Sequence, residues 1–425
     1  MSDHHDEALL GVYRNTIVLG LTSTIATFGN TLWVFFFPLI LQGEGLTAFY
    51  IGAVYSSSAL LSGVAQVPVG AFVDRFGRKT AVVLGTAIAS TSMLVLAFSS
   101  NPVVLVAAFL LSVSIGGTFF GIGAWALIAE SSKSRLATNF GAFVTMAGWT
   151  SIFGPALGGL LIGGNRSEVL LLSSFLFAVA ATARAAFLTE TLHLDSHNSA
   201  RPPSVSGLKG SLREFRSNRP LLLLTGAYAI YNLFLTQISF VVPLYSTQVL
   251  KLSTPEIGLL FSVFMLVDSQ SRVFFGWVAD RFGYIQIILA SWAGEMAFMI
   301  AFAYSTGQAL PLVLFSVWVL FGAMDGPAIS AVVGKTAKTE SRGTSIGLFS
   351  TLPLLLSVPA VLGTGFLYSV APQLPFFANL LLGAVAFILL LSYSSKKDKL
   401  PSTTRLSPTG KLSNTTNKCT AKVRR

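Results

Sequence analysis

Charge is what this chain of 425 residues has least of: Asp, Glu, Lys and Arg together make up 11%, against about 25% in a soluble globular protein. That shortage excludes an ordinary water-facing surface. Cysteine occurs once, as Cys419 near the C-terminal end, so there is neither a disulfide framework nor a Cys/His metal cluster. Histidine occurs four times, as His4, His5, His193 and His197, all outside the apolar runs, which removes the clustered titratable groups a membrane-embedded enzyme needs. A basic leader is also missing. Met1 to Glu7 carries acids and histidines, unlike a cleavable secretory signal, so the first apolar run is expected to be retained. Finally, Gly334-Lys335-Thr336 has Ile329 where a phosphate loop requires its leading glycine, which argues against a nucleotide-driven motor.

Hydrophobic residues make up 53% of the chain and the mean hydropathy is +0.71. The net charge of +11 does not indicate a nucleic-acid partner, because the basic residues punctuate apolar runs rather than gather on one face. A helix needs roughly 20 apolar residues to cross a bilayer with its backbone paired internally. Twelve such runs are present, six between Thr16 and Thr189 and six between Leu221 and Ser394. With both termini placed inside, 24 of the 28 Lys and Arg fall on the cytoplasmic side, and only Arg166 and Lys251 lie in outer loops. The sequence therefore predicts an all-α, multi-pass protein of the cell membrane with both termini cytoplasmic. Its parts are a leading segment (1–15), a six-helix unit (16–190), a Pro- and Ser-containing linker (191–218), a second six-helix unit (219–394) and a basic, Ser/Thr-rich tail (395–425).

The two units echo one another. Gly70-Ala71-Phe72-Val73-Asp74-Arg75-Phe76-Gly77 closes the second run, and Gly276-Trp277-Val278-Ala279-Asp280-Arg281-Phe282-Gly283 closes the eighth. Such a duplication places a binding site near midplane between the copies. In physical terms Gly77 permits the tight turn, Gly70 permits close approach of another helix, and Asp74 at the membrane edge is suited to a contact made in one conformation only. Arg78 and Lys79 serve equally well as a topology-setting basic loop.

Gly70, Asp74, Arg75, Gly77, Arg78 and Lys79 together resemble the signature between helices two and three of the major facilitator superfamily. The resemblance extends over nearly the whole chain, with Tyr284 and Ile285 standing in the second copy where the first has Arg78 and Lys79. It implies twelve transmembrane helices in two pseudo-symmetric bundles and alternating access. Gly154, Pro155, Gly158 and Gly159 in the fifth helix resemble the family's antiporter motif, with Thr150 at one glycine position; the motif implies drug-efflux-type exchange, or simply a close-packed interface helix. Glu130 and Arg135 after the fourth helix, and Glu340 and Arg342 after the tenth, resemble residues that join the cytoplasmic charge network, along with Asp280 and Arg281.

Five ionisable residues fall inside the spans: Arg184, Asp268, Arg272, Glu295 and Asp325. Arg184, within about two turns of the cytoplasmic end of the sixth helix, is expected to snorkel to the interface. Asp268 and Arg272 share a helix face, and Arg272 and Glu295 stand equally far from the hairpin turn at Gly283, so they are placed to pair. The trio is either a proton-carrying site or a static pair beside one shielded acid. Asp325, followed by Gly326 and Pro327, faces the central cavity in the family resemblance and either couples transport to a proton or cation or caps the segment Pro327 begins. Where many proton-driven exporters of the family carry an arginine in helix four, this chain has Ser112, Ser114, Gly116 and Gly117. The resemblance also assigns Asn30, Trp33, Trp125, Tyr228, Tyr231, Asn232, Gln237 and Trp318 to the cavity, a lining suited to an amphipathic organic solute. The expected function is gradient-driven transport of a small organic solute, proton-coupled efflux first, with proton-coupled import, uniport or a non-transporting receptor as alternatives. No cofactor is called for.

Overall fold

In a computed structural model the described residues are 12–132, 136–192, 219–235, 237–336 and 342–397. They form twelve helical segments in chain order. In the first half these are α1 (Arg14–Thr31, resuming as Phe37–Gly43), α2 (Ala48–Phe76), α3 (Arg78–Phe98), α4 (Pro102–Ser131), α5 (Leu136–Ser151, resuming as Phe153–Ile162) and α6 (Arg166–Phe187). In the second half they are α7 (Arg219–Leu235, resuming as Gln237–Gln248), α8 (Thr254–Phe282), α9 (Tyr284–Ala303), α10 (Ala309–Thr336), α11 (Arg342–Val370) and α12 (Leu374–Lys397). Nine of the described helices are long and apolar enough to cross a membrane unaided, and α8, bent by 51° between Thr254–Ser271 and Phe274–Phe282, makes a tenth. The broken α1 and α11, of which Leu356–Val370 is a shorter apolar helix, complete the twelve segments.

Local chemistry sets the helix ends. Asn101 and Asn165 accept the backbone N–H groups of Val103 and Ser167 at 2.9 and 3.0 Å, starting α4 and α6. Ser253 and Glu256 form a reciprocal capping box at the start of α8. Gly77 and Gly283, at φ +103° and +97°, end α2 and α8 in a backbone conformation that a Cβ disfavours, so both hairpins turn where the repeated sequence places them. Within α4, Leu110–Gly116 is wound as a π-helix, and its Ser114 hydroxyl shares a 2.9 Å hydrogen bond with Ser58 of α2.

Large apolar side chains such as Val67, Phe98, Val103 and Leu381 stand on the outside of the bundle. In water that surface would aggregate; in lipid it is the matching solvent. The principal core, which includes Trp33, Phe37, Phe109, Tyr245, Phe261 and Phe376, draws on both halves. We call the side carrying Tyr13, the Gly77 turn and the Gly283 turn the terminus face, and the opposite side the far face.

Candidate functional site

The halves meet through the far-face ends of two helix pairs. A Cβ at Gly159 of α5 would lie 2.6 Å from the Thr254 carbonyl oxygen, and one at Gly258 of α8 2.5 Å from the Pro155 carbonyl oxygen. Symmetrically, a Cβ at Gly52 of α2 would lie 2.8 Å from Gly365 Cα of α11. Only glycine allows backbones this close. Two hydrogen bonds join the same pairs, Ala156 N–H to Ser262 Oγ (2.9 Å) and Ser56 Oγ–H to the Val358 carbonyl (2.7 Å). Phe35 stacks on Phe261 at 4.3 Å and Tyr55 on Phe240 at 5.5 Å. Of the fifth-helix motif, Gly159 packs across the halves, whereas Gly154 and Gly158 sit against Thr31 and Leu32 of α1 in their own half. Thr150, at the departing position, donates to the Thr24 carbonyl at 2.9 Å.

At the terminus face the α2–α3 hairpin is a charge network within one half. Arg78 pairs with Glu130 at 2.8 Å and with Asp74 at 3.5 Å, and also reaches the Val73 carbonyl. Glu190 accepts the backbone N–H groups of Arg78 and Lys79 at 2.9 and 3.1 Å, placing a carboxylate on the positive end of α3. Asp74, its side chain 75% exposed, has no partner from the second half among the described residues. The sequence expectation of a close neighbour at Gly70 is not met among the described residues, since nothing lies within 4 Å of where its Cβ would stand. Arg75 lies over the Phe76 ring at 5.2 Å. In the second hairpin Tyr284 replaces Arg78 and donates to Asp280 at 2.7 Å, so a neutral donor stands where the first copy has an ion pair. Arg281 lies near the Trp277 and Phe282 rings. Arg135 and Glu340 lie outside the described residues, as do the side chains of Arg342, Gln237 and Arg272.

Inside the second half, Glu295 of α9 is 1% exposed and accepts a hydrogen bond from the Tyr231 hydroxyl of α7. Asp325 of α10, 8% exposed, accepts from Trp292 Nε1 at 3.0 Å. The Tyr231 and Trp292 rings stack at 4.2 Å, tying the two carboxyl groups into one cluster. Neither donor was paired with its acid in the sequence reading, because nothing in the pattern of α7 marks which way Tyr231 points. Asp268 on α8 is half-buried. Tyr228 stacks on Phe349 at 4.7 Å and its carbonyl accepts from Asn232 Nδ2. Trp33 and Trp318 are buried among aromatic rings, Phe37 and Phe109 for the first, Phe302 and Phe315 for the second. Trp125, on Phe140, is 59% exposed.

Inside the first half lies a cavity of about 310 Å³ whose lining includes Thr27, Asn30, Ser112, Phe120, Phe177 and Arg184. Arg184 corrects the sequence expectation. It does not snorkel: it is 1% exposed, and its guanidinium donates from Nε to Thr22 Oγ1 (3.0 Å), from Nη2 to Ser23 Oγ (2.8 Å) and from Nη1 to Thr86 Oγ1. The ring of Phe120 lies 4.6 Å from its Cζ. Helical side chains lean toward the N-terminus of their own helix. In α6 that end is at the far face, so an arginine in the last turn is aimed back into the bundle. Running direction was the available signal.

Residues 19–356 and 246–420 match the model of the Major Facilitator Superfamily. The chain is 23% identical over 338 residues to the class C tetracycline resistance protein of Escherichia coli, covering 78% of this chain and 82% of that one. It is 28% identical over 344 residues to the multi-drug resistance efflux pump PmrA of Streptococcus pneumoniae, covering 73% and 80%. A bacterial homologue of the human lysosomal transporter Spinster, solved inward-facing and unoccupied, superimposes with a TM-score of 0.73 at 14% identity over 93% of this chain and 98% of that one. Twelve helices with a repeated hairpin, halves in contact along α2–α11 and α5–α8, and a family match that spans most of the sequence lead to one assignment: the chain belongs to the Major Facilitator Superfamily, as a multi-pass membrane transporter.

Proposed function

We propose that this protein exports a small organic solute across the cell membrane by alternating access, driven by protons entering in exchange, with both chain ends in the cytoplasm. The observation that carries the proposal is the lopsided contact between the halves. Backbones and stacked rings meet at the far face, while Asp74 stands exposed at the terminus face. Two bundles touching at one end describe one of the two states that rocking about a central site requires. The partner state would bring the Gly70–Lys79 hairpin, with Asp74 and Arg75, against the second half near Asp280, Arg281, Glu340 and Arg342. The bundles are taken as 16–190 and 219–394, joined by the linker 191–218.

Orientation rests on the Lys and Arg of the hairpin loops, which favour the cytoplasmic side. The direction of transport is supported by the relatives named for tetracycline resistance and multi-drug efflux and by the Gly154–Gly159 stretch of α5. Proton coupling is supported by Glu295 and Asp325, two buried carboxyl groups able to bind and release a proton between the helices that surround the solute path. Asp268 and Arg272 on α8 are the remaining candidates for that relay.

The test is uptake by proteoliposomes of tetracycline and other amphipathic drugs under an imposed pH gradient. Asp325→Asn is expected to abolish accumulation against a concentration gradient while downhill exchange continues. Continued accumulation would move the coupling to Glu295 or Asp268. Indifference to all three acids would make the protein a uniporter and reject the exchange mechanism.

A further inference from the structure

The two halves treat charge oppositely. Glu295 and Asp325 lie within the second, whereas the only acids in α1, α3, α4 and α6 are Glu130 and Glu168, near opposite ends of their helices. Glu130 is engaged by Arg78 and Thr191, and Glu168 by Asn165. Arg184 is therefore a buried cation with no carboxylate partner among the described residues. Its three acceptors are neutral hydroxyls, and those of Thr22 and Thr86 already donate to their own helix carbonyls at Val18 and Val82. They hold the guanidinium in place without neutralising it.

An isolated charge taken out of water is expensive unless a counter-charge meets it. Arginine has five N–H donors in a planar fork. Three are directed at Thr22, Ser23 and Thr86, leaving one on each terminal nitrogen without a described protein acceptor. Two adjacent donors on a plane suit the two oxygens of a carboxylate. Beside Arg184 the cavity offers the amide of Asn30, which has no described side-chain partner, and apolar surface from Val34, Ala89, Phe120 and Phe177. Its volume falls at the lower end of the roughly 300–1,000 Å³ common for small-molecule sites. An anionic head on an apolar body fits this combination; a dianion, with one guanidinium to meet two charges, does not.

We propose that Arg184 and its ring of hydroxyls form the receptor in the first half for a monocarboxylate group carried by the transported solute. The proposal rests on the transport reading, and binding is measured separately from flux so that the two fail independently. The probe is naphthalene-1-acetate, with the neutral naphthalene-1-acetamide as its isostere. Each is titrated into the purified full-length protein at constant ionic strength while thermal unfolding is followed. Saturable stabilisation by the acid and not by the amide is expected, with Arg184→Gln weakening it roughly tenfold or more, the loss of one charge-assisted contact. If Arg184→Gln does not fold, Arg184→Lys, which keeps the charge and loses the fork, is expected to weaken the acid by a similar order. Equal stabilisation by acid and amide, an Arg184→Lys affinity equal to that of the native protein, or the same saturable effect from sodium chloride alone would each overturn the proposal, the last by making the site one for a free inorganic anion. Acid binding through Arg184 without flux would instead defeat the transport reading and leave the receptor standing.

Discussion

Glu295 and Asp325 are held by donors of different kinds, a phenol and an indole, and the rings of those donors lie face to face. Removing the phenol oxygen leaves the Glu295 carboxyl buried without that donor, at about 1–3 kcal/mol. Tyr231→Phe is therefore expected to lower the unfolding temperature in detergent, and a double-mutant cycle with Glu295→Gln should show coupling above about 0.5 kcal/mol; strictly additive losses would show that the contact contributes nothing. Both acids were legible in the sequence, because a charge within an apolar run declares itself. Their donors were not, since Tyr231 precedes Glu295 by 64 residues and contact over that separation is decided by packing. Arg184 was legible as a residue and misjudged as a site: depth along the apolar run measures where the Cα lies, while the tilt of the Cα–Cβ bond decides where the guanidinium goes.

Among the helices, α5 and α8 and then α2 and α11 repeat one device, backbone against backbone with glycine at the crossing. Gly159→Ala and Gly365→Ala each add a methyl within 2.6 and 2.9 Å of a carbonyl oxygen on the partner helix. Overpacking of this kind costs about 1–3 kcal/mol in the state that contains the contact. Both variants are expected to shift the protein away from far-face closure, read as faster labelling of a cysteine placed at Ser56. Gly70→Ala is the counter-experiment: with nothing near its Cβ position it should leave this state untouched and slow turnover, if the terminus face closes over it. The hairpin turns at Gly77 and Gly283 were readable because an eight-residue motif recurs with its glycine at the end. The bend of α5 was readable too, because Pro155 has no N–H to bond the carbonyl of Ser151, where the helix breaks; the break in α1 and the π-turns of α4 were not, because hydropathy along a span is indifferent to how the helix is wound.

For the molecule as a whole, the alternating-access proposal makes Asp74 the residue whose surroundings would change with the face that is shut. Asp74→Asn should fold normally and retain the present far-face contacts, since its one described ion pair is with Arg78 of its own hairpin. Its effect is expected on turnover, with fewer molecules reaching the state closed at the terminus face; accessibility of Trp125, measured by quenching with a water-soluble agent, would rise. Unchanged transport and quenching would remove Asp74 from the cycle. The even number of crossings and the two-bundle plan could be read from the sequence because lipid imposes one length on every span and the charge bias of loops one orientation. Which face is closed could not, since the sequence is the same whichever face the halves meet at.

The substitution of Tyr284 for Arg78 makes the two hairpins respond differently to the medium. One is held by ion pairs from Arg78 to Glu130 and Asp74, the other by a hydroxyl bonded to a carboxylate. The Debye length shrinks from about 10 Å at 0.1 M salt to about 3 Å at 1 M, and salt reaches the Asp74 and Glu130 carboxylates, 75% and 36% exposed, although Arg78 itself is only 13% exposed. Concentrated electrolyte should thus loosen the α2–α3 hairpin and spare the α8–α9 hairpin. Amide hydrogen exchange at Gly77, bonded to the Val73 carbonyl that Arg78 also reaches, would quicken with ionic strength while that at Gly283, bonded to the Ala279 carbonyl, stayed level, a built-in asymmetry between two halves that otherwise copy one another.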